Sequence, residues 1–153
     1  MSPEEACGVG PGGAGVTPAD LGRYLPHRPP FLLIDRVLEA GIERAVAVKC
    51  VSGSDPVLAG HFPLYPIYPG VLLLEAMGQT GRFLDPSEGA DIALLAKIDA
   101  ARFLAPVMPG DQLLLCAYPE GRLGAATVFR TEATVEGRLV AKARFTVVQG
   151  VET

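Results

Sequence analysis

The sequence predicts an α+β domain in which an antiparallel sheet wraps around one buried helix. Three observations support this fold class: strand-like segments outnumber helical ones, hairpin-length links join them, and one helical segment is apolar nearly all the way round. The chain has 153 residues, of which 49% are hydrophobic, and this suffices for one domain with a single core. We therefore expect one domain over residues 17–150.

The N-terminal segment differs in composition from the rest of the chain. Residues 1–16 are rich in glycine and hold almost no large apolar side chain, so burial could not offset the entropy lost on ordering them. A flexible tail is expected there. Thr17, Pro18 and Asp20 then form a helix-start signature, and this short helix should end before Pro26.

The next part of the chain alternates between strand-like and proline-rich sequence. Residues 31–40 and 43–51 are strand-like and separated by Gly41, so a hairpin is expected. Residues 55–69 are dense in proline, a composition that excludes a regular helix or a central strand. We expect a rigid loop over that stretch.

A helix is expected from Pro69 to Leu84, since proline suits the first helical position and Asp85-Pro86 ends the segment. Its apolar residues surround the axis, which is typical of a helix inside a protein. Further strands are expected in residues 92–103, 112–118, 126–135 and 139–148. The last two are joined by Glu136-Gly137, a tight-turn pair, and the sheet should hold about five or six strands.

Composition argues against several function classes. The net charge is −4 and the acidic residues are scattered, so no basic surface for nucleic acid or an anionic membrane is expected. No apolar stretch reaches the roughly 18 residues that span a bilayer, and the N-terminus lacks the features of a secretory signal. The three cysteines have no metal-ligand spacing and only two histidines accompany them. We expect a cytoplasmic protein without metal, nucleic acid or membrane partners.

Two titratable side chains are candidates for acid–base chemistry. His61 lies in the proline-stiffened loop, where a scaffold can hold a reactive imidazole, although a histidine satisfied by local hydrogen bonds would look the same. Glu75 lies two turns into the apolar helix, where burial disfavours the carboxylate and favours an acid able to give a proton. Alternatively, Glu75 belongs to a solvated stripe with Gln79 and Arg82, which follow at i+4 and i+7.

Gly70 is a third candidate because of its place near the start of the helix. Its N–H would have no intrahelical acceptor and would lie at the positive end of the helix dipole, where it could polarise a thioester carbonyl. The alternative is a glycine needed only for the turn into the helix.

Three segments resemble the FabZ-type 3-hydroxyacyl-[acyl-carrier-protein] dehydratases: residues 25–37 (LPHRPPFLLIDRV), 60–81 (GHFPLYPIYPGVLLLEAMGQTG) and 94–113 (LLAKIDAARFLAPVMPGDQL). The middle segment carries the ordered motif H-F-P-x-x-P-I-x-P-G-V-L-x-x-E-A-M-x-Q. The resemblance extends over residues 20–148 and implies the hotdog fold, a long helix in a curled antiparallel sheet.

The resemblance also implies roles for individual residues. His61 and Glu75 correspond to the catalytic pair, and the Gly70 amide to the group that binds the thioester oxygen. Gln79 would orient the carboxyl group, and the carbonyl of Ile67 would fix the tautomer of His61. Glutamate rather than aspartate at position 75 implies dehydration without isomerisation of the double bond.

The implied substrate is a (3R)-3-hydroxyacyl thioester on acyl carrier protein, in fatty acid or polyketide/polyene biosynthesis. Phosphopantetheine would arrive as part of that substrate, and no other cofactor is implied. The family implies a homodimer in which the histidine of one subunit faces the carboxylate of the other, and such dimers often assemble further into trimers of dimers. Because carrier proteins are usually acidic, we expect a basic rim, with Lys97, Arg102 and Arg82 as candidates.

Several positions around the expected site differ from those usual in the family: Leu64, Tyr65, Tyr68, Thr80 and Arg82. They surround the pair without replacing it, so they bear on the substrate more than on the reaction. Tyr65 and Tyr68, together with Phe62 and Phe103, are candidate walls of the acyl tunnel. For the two tyrosines, ordinary packing in the dimer interface is the alternative.

In the expected reaction His61 takes the α-proton, the Gly70 amide stabilises the developing oxyanion and Glu75 protonates the leaving hydroxyl. Two other functions stay open. A hotdog thioesterase would use a carboxylate to activate water, and the presence of His61 counts against it. A non-catalytic hotdog subunit could bind an acyl carrier, and the intact pair counts against that.

Overall fold

A computed structural model of the protein describes residues 20–85, 89 and 91–150. The expected tail and the helix start at Thr17 lie outside these residues. Within them are six strands: β1 (Arg36–Glu39), β2 (Ala45–Cys50), β3 (Ala93–Phe103), β4 (Gln112–Leu123), β5 (Ala126–Val135) and β6 (Arg138–Gln149). Two α-helices, α1 (Pro56–His61) and α2 (Gly70–Gly81), are accompanied by 3-10 turns at Leu21–Arg23 and Arg82–Leu84.

The six strands form one antiparallel sheet in the order β1-β2-β4-β5-β6-β3. Helix α2 packs against β2, β4 and β5, so the sheet encloses one long helix as the sequence predicted. The expected tight turn between β5 and β6 is present, with positive φ at Glu136 (49°) and Gly137 (78°). The predicted α+β class and the number of strands are confirmed.

Helix α1 contradicts the prediction of a loop without regular structure over residues 55–69. Asp55 caps it, because its side chain accepts a hydrogen bond from the Val57 amide at 3.0 Å. Pro56 occupies the first turn, where a missing N–H costs nothing. Pro56 therefore marks the start of the helix, and only the prolines after His61 interrupt helical structure. As a result, His61 is the last residue of α1.

The first predicted strand, residues 31–40, is also shorter in the structure. Only Arg36–Glu39 form β1, because the backbone at the start of the predicted strand bonds to a side chain of α2 instead of to a neighbouring strand. The carbonyl of Phe31 and the amide of Leu33 both bond to the side chain of Gln79. The carboxylate of Asp35 accepts from the amide of Cys50.

The inner face of α2 contacts two aromatic rings of the sheet. Phe129 and Phe145 are each 2% exposed and stack with their ring centroids 5.3 Å apart. A β-carbon added at Gly81 would overlap the ring of Phe129. The absence of a side chain at Gly81 therefore sets how closely α2 approaches β5.

We expect Gly81→Ala to lower the free energy of unfolding by about 1–3 kcal/mol, since a buried ring on a packed strand cannot move aside without strain. Urea denaturation at fixed protein concentration measures the change. The matched control is Gly60→Ala on α1, where nothing lies within 4 Å of the added carbon. If both variants are as stable as the wild type, the close packing of α2 on Phe129 is refuted.

Candidate active site

Glu75 is held in place by its neighbour one turn along α2. Gln79 donates from Nε2 to Oε1 of Glu75 at 2.9 Å. The Glu75 side chain is 29% exposed, so it is neither sealed in the core nor part of a fully solvated stripe. A carboxyl group in this position is shielded from most of the solvent and can still be reached by a substrate.

The orientation of the Gln79 amide is determined by the chain segment before β1. Its Oε1 accepts from the amide of Leu33 at 3.0 Å, and its Nε2 donates to the carbonyl of Phe31 at 2.8 Å. Gln79 is 3% exposed. Because both ends of the amide have fixed partners, Nε2 must face Glu75, as expected of a residue that orients the carboxyl group.

His27 is a further contact of Glu75, and the sequence analysis did not identify it. Its Nε2 lies 3.3 Å from Oε1 of Glu75, and its side chain is 31% exposed. The residue stands in the LPHR part of the first family-like segment. A histidine two residues after a buried leucine gives no local signal of this contact, because Glu75 is far away in sequence.

His61 is held by a different part of the chain. Its Nδ1 lies 3.0 Å from the carbonyl of Ile67, in agreement with the expected contact. A carbonyl can only accept, so Nδ1 carries the hydrogen, and the tautomer of the neutral imidazole is the one with its lone pair on Nε2. The imidazole also packs against Phe62, with ring centroids 4.0 Å apart.

Gly70 is the first residue of α2, preceded by Pro69 in an extended conformation. Its N–H therefore has no acceptor within the helix. A β-carbon at this position would lie 2.9 Å from the ring of Phe103, which reaches over the start of the helix from β3. The absence of a side chain at Gly70 leaves room for that ring.

A cavity of about 540 Å³ lies along α2 between the helix and the sheet. Its wall includes both polar and apolar side chains, among them His27, Glu75, Gln79, Phe129 and Phe145. His61 and Gly70 are not among the residues that line it. Within one chain, the structure thus places the Glu75 group and the His61 group in separate surroundings.

The candidate tunnel residues fall into two groups. Phe62, Tyr65 and Phe103 are about half exposed, at 54%, 52% and 52%. Tyr68 is 2% exposed and packs in the core of the same chain, which differs from both the tunnel and the interface expected for it. Burial raises the pKa of Tyr68 to about 12, so its hydroxyl stays protonated.

The other unusual positions have clear surroundings. Leu64 is fully exposed, whereas Thr80 is buried and donates from its hydroxyl to the carbonyl of Ala76 at 3.0 Å. Arg82 donates to the carbonyls of Asp85 and Gly89, both at 2.7 Å, so it braces the end of the helix. These contacts give Thr80 and Arg82 structural roles at the C-terminal end of α2.

Neither a metal-binding cluster nor a membrane-spanning helix is found among the residues that the structure describes. No group of three or more histidine, cysteine, aspartate or glutamate side chains in this part of the chain could hold a metal ion. No helix there combines the length and the hydropathy needed to cross a bilayer.

Comparison with known proteins identifies the family. Residues 25–144 match the FabA-like domain. The FabZ 3-hydroxyacyl-[acyl-carrier-protein] dehydratase of Polynucleobacter asymbioticus is 47% identical over 128 residues, which cover 81% of this chain and 86% of the relative. The corresponding enzyme of Thermotoga petrophila is 49% identical over 121 residues, covering 78% and 88%. That of Streptococcus pneumoniae is 42% identical over 125 residues, covering 80% and 89%.

Solved structures show the same fold at lower identity. The dehydratase heterocomplex ApeI:P from Xenorhabdus doucetiae superposes with a TM-score of 0.72 at 21% identity, covering 86% of this chain and 91% of that one. The E. coli PaaI protein gives 0.60 at 20% identity, covering 73% and 80%. The fold is therefore the hotdog fold, and the chain belongs to the FabA-like family, among the FabZ-type 3-hydroxyacyl-[acyl-carrier-protein] dehydratases.

Proposed function

We propose that this dehydratase removes water from a (3R)-3-hydroxyacyl thioester on acyl carrier protein, with His61 as the base and Glu75 as the acid. The observation that carries the proposal is that neighbouring residues hold both the imidazole of His61 and the carboxyl group of Glu75 in fixed orientations. Glu75 is aimed by Gln79 at 2.9 Å into a recess, and His61 is held by the carbonyl of Ile67 at 3.0 Å. Each contact fixes a side chain without consuming the atom that would react.

His61 supports the base role through its tautomer. With Nδ1–H donated to the Ile67 carbonyl, the lone pair on Nε2 is available to accept the proton from C2 of the substrate. The electron pair of the broken C2–H bond forms the C2=C3 double bond. Charge that develops on the thioester oxygen would be stabilised by the Gly70 amide, which lacks an intrahelical acceptor.

Glu75 completes the elimination at C3. Hydroxide is a poor leaving group, so its departure requires a proton as the C3–O bond breaks. The protonated carboxyl of Glu75 gives that proton and water leaves, while Glu75 becomes a carboxylate and His61 an imidazolium. The net reaction is the loss of one water, and the return of the C2 proton from His61 to Glu75 by way of solvent restores the enzyme.

The two groups must meet, and we propose that a second copy of the chain brings them together. Strand β3 forms one edge of the sheet, and it leaves Leu94, Leu95 and Phe103 exposed by 50%, 54% and 52%. A long edge strand with exposed apolar side chains is a template for pairing with a strand of another chain. Pairing of two copies about a twofold axis would cover the β3 edge of each copy and create two equivalent sites.

The carrier protein and the assembly beyond the dimer belong to the same proposal. Lys97 and Arg102 lie on β3, although Lys97 is 3.5 Å from Asp99 and so is partly neutralised. These side chains are candidates for contact with an acidic carrier. Three further expectations stay predictions: assembly into trimers of dimers, a role in either fatty acid or polyketide/polyene biosynthesis, and a cytoplasmic location.

The proposed reaction can be tested on a 3-hydroxyacyl thioester of acyl carrier protein by intact-mass spectrometry. We expect the carrier species to lose the mass of one water, about 18 Da, with the thioester retained. Release of free acid would identify a thioesterase instead. An unchanged carrier species would indicate a binding subunit without activity, and either of these two results overturns the proposal.

A further inference from the structure

We propose that His27 is a positioning residue for Glu75, an inference that rests on the acid role proposed for that carboxyl group. His27 Nε2 lies 3.3 Å from Oε1 of Glu75, and both residues line the cavity. Both side chains are about one-third exposed, at 31% and 29%, so the contact is shielded from bulk solvent on most of its surface. A hydrogen bond there would fix the carboxyl group through the same oxygen that Gln79 contacts.

The loop that carries His27 is itself held in shape. Arg28 donates to the carbonyls of Leu25 and His27, both at 2.8 Å, and to that of Gly22 at 3.3 Å. The imidazole also stacks against Phe31, with centroids 6.1 Å apart and planes 23° from parallel. The position of the ring is thus set before any ligand arrives.

The two ring nitrogens of His27 have different surroundings, and in residues 20–85, 89 and 91–150 only Nε2 lies near a possible hydrogen-bond partner, Glu75. Nδ1 of His27 is buried and has no hydrogen-bond partner among the described residues. Most buried polar atoms in proteins are paired, so burying Nδ1 without a partner costs free energy that another contact of the ring must offset. Donation from Nε2–H to Glu75 supplies that contact and sets the neutral tautomer with Nδ1 unprotonated.

The geometry assigns different tasks to the two oxygens of Glu75. Oε1 accepts from Gln79 Nε2 at 2.9 Å and faces His27 Nε2 at 3.3 Å. Within the described part of the chain, Oε2 has no such contact, so the transferable proton belongs on Oε2. Once that proton leaves, the two N–H groups stabilise the carboxylate that remains.

Other charged side chains on the cavity wall do not duplicate this contact. They are Arg82, Asp85, Asp91 and Arg122. Arg82 is directed to backbone carbonyls beyond the helix end. His27 therefore is the ionisable residue that contacts Glu75 within the part of the chain that the structure describes.

Two variants separate the hydrogen bond from the shape of the ring. His27→Phe keeps an aromatic ring beside Phe31 but removes the donor, and His27→Gln keeps an N–H donor at the position of Nε2. We expect His27→Phe to lower kcat by about 10- to 100-fold, the value of a hydrogen bond to a charged group, with KM within about threefold of wild type. We expect His27→Gln to recover at least half of that loss on a logarithmic scale.

Two results test the role of His27: a fall in kcat at nearly constant KM in His27→Phe, and recovery of kcat in His27→Gln. A structural defect would instead lower the activity of both variants alike. Thermal unfolding and the oligomeric state should match the wild type in each. Wild-type kcat in His27→Phe, or an equal loss in both variants, overturns the role of His27. If Glu75→Gln retains activity, the proposed function fails as well, whereas an inactive Glu75→Gln beside a fully active His27→Phe refutes the positioning role alone.

Discussion

Glu75→Gln is expected to lower kcat for water loss by about 10²- to 10⁴-fold while the protein stays folded. The amide has nearly the shape of the carboxyl group, and its oxygen can still accept from Gln79, whose Nε2 lies 2.9 Å from Oε1 of Glu75. It has no proton acidic enough to give to a departing hydroxyl. Substrate binding depends on the rest of the cavity, so KM should change little.

The measurement is single-turnover conversion of the 3-hydroxyacyl carrier thioester, with far-ultraviolet circular dichroism and thermal unfolding to verify the fold. A matched control is Glu132→Gln on β5, whose carboxylate pairs with Arg130 at 3.3 Å and lies outside the cavity wall. It should retain wild-type kcat. More than about a tenth of wild-type kcat in Glu75→Gln would contradict the assignment of Glu75 as the acid.

Much of the fold follows from local patterns in the sequence. The apolar character of α2 and the alternation in β5 and β6 report burial directly, because periodicity expresses which face is covered. The two deviations have local physical causes. Pro56, directly after the Asp55 cap, begins a helix where proline density suggested none, and Gln79 bonds to the backbone of Phe31 and Leu33 before β1.

The candidate site was less accessible to sequence reasoning. Motif resemblance indicated Glu75, Gln79 and the His61–Ile67 contact, since these residues lie within one continuous segment. The contact between His27 and Glu75 depends instead on how a distant loop folds back over α2, and nothing local to either residue encodes it. Tyr68 shows the converse, because its position in the motif suggested a tunnel wall but its side chain packs in the core.

If the site is shared between two subunits, as proposed, mixed dimers of two inactive variants should regain activity. His61→Ala and Glu75→Gln should each be inactive alone, and refolding an equal mixture of the two should restore about a quarter of wild-type activity. In a mixed dimer, one site contains both substitutions and the other contains neither. Random pairing makes half of the dimers mixed, and each of these has one intact site of two.

The recovered fraction distinguishes the two possible arrangements of the pair. If His61 and Glu75 of the same chain worked together, every site in every dimer would carry one substitution, and mixing would restore nothing. The cavity that contains Glu75 is not lined by His61 of the same chain, which favours recovery. Two differently tagged chains, purified through both tags, isolate the mixed dimer, and its activity should then rise to about half of the wild-type value. Because neither variant can regain its missing group by folding alone, activity in that species requires that one chain supplies the imidazole and the other the carboxyl group.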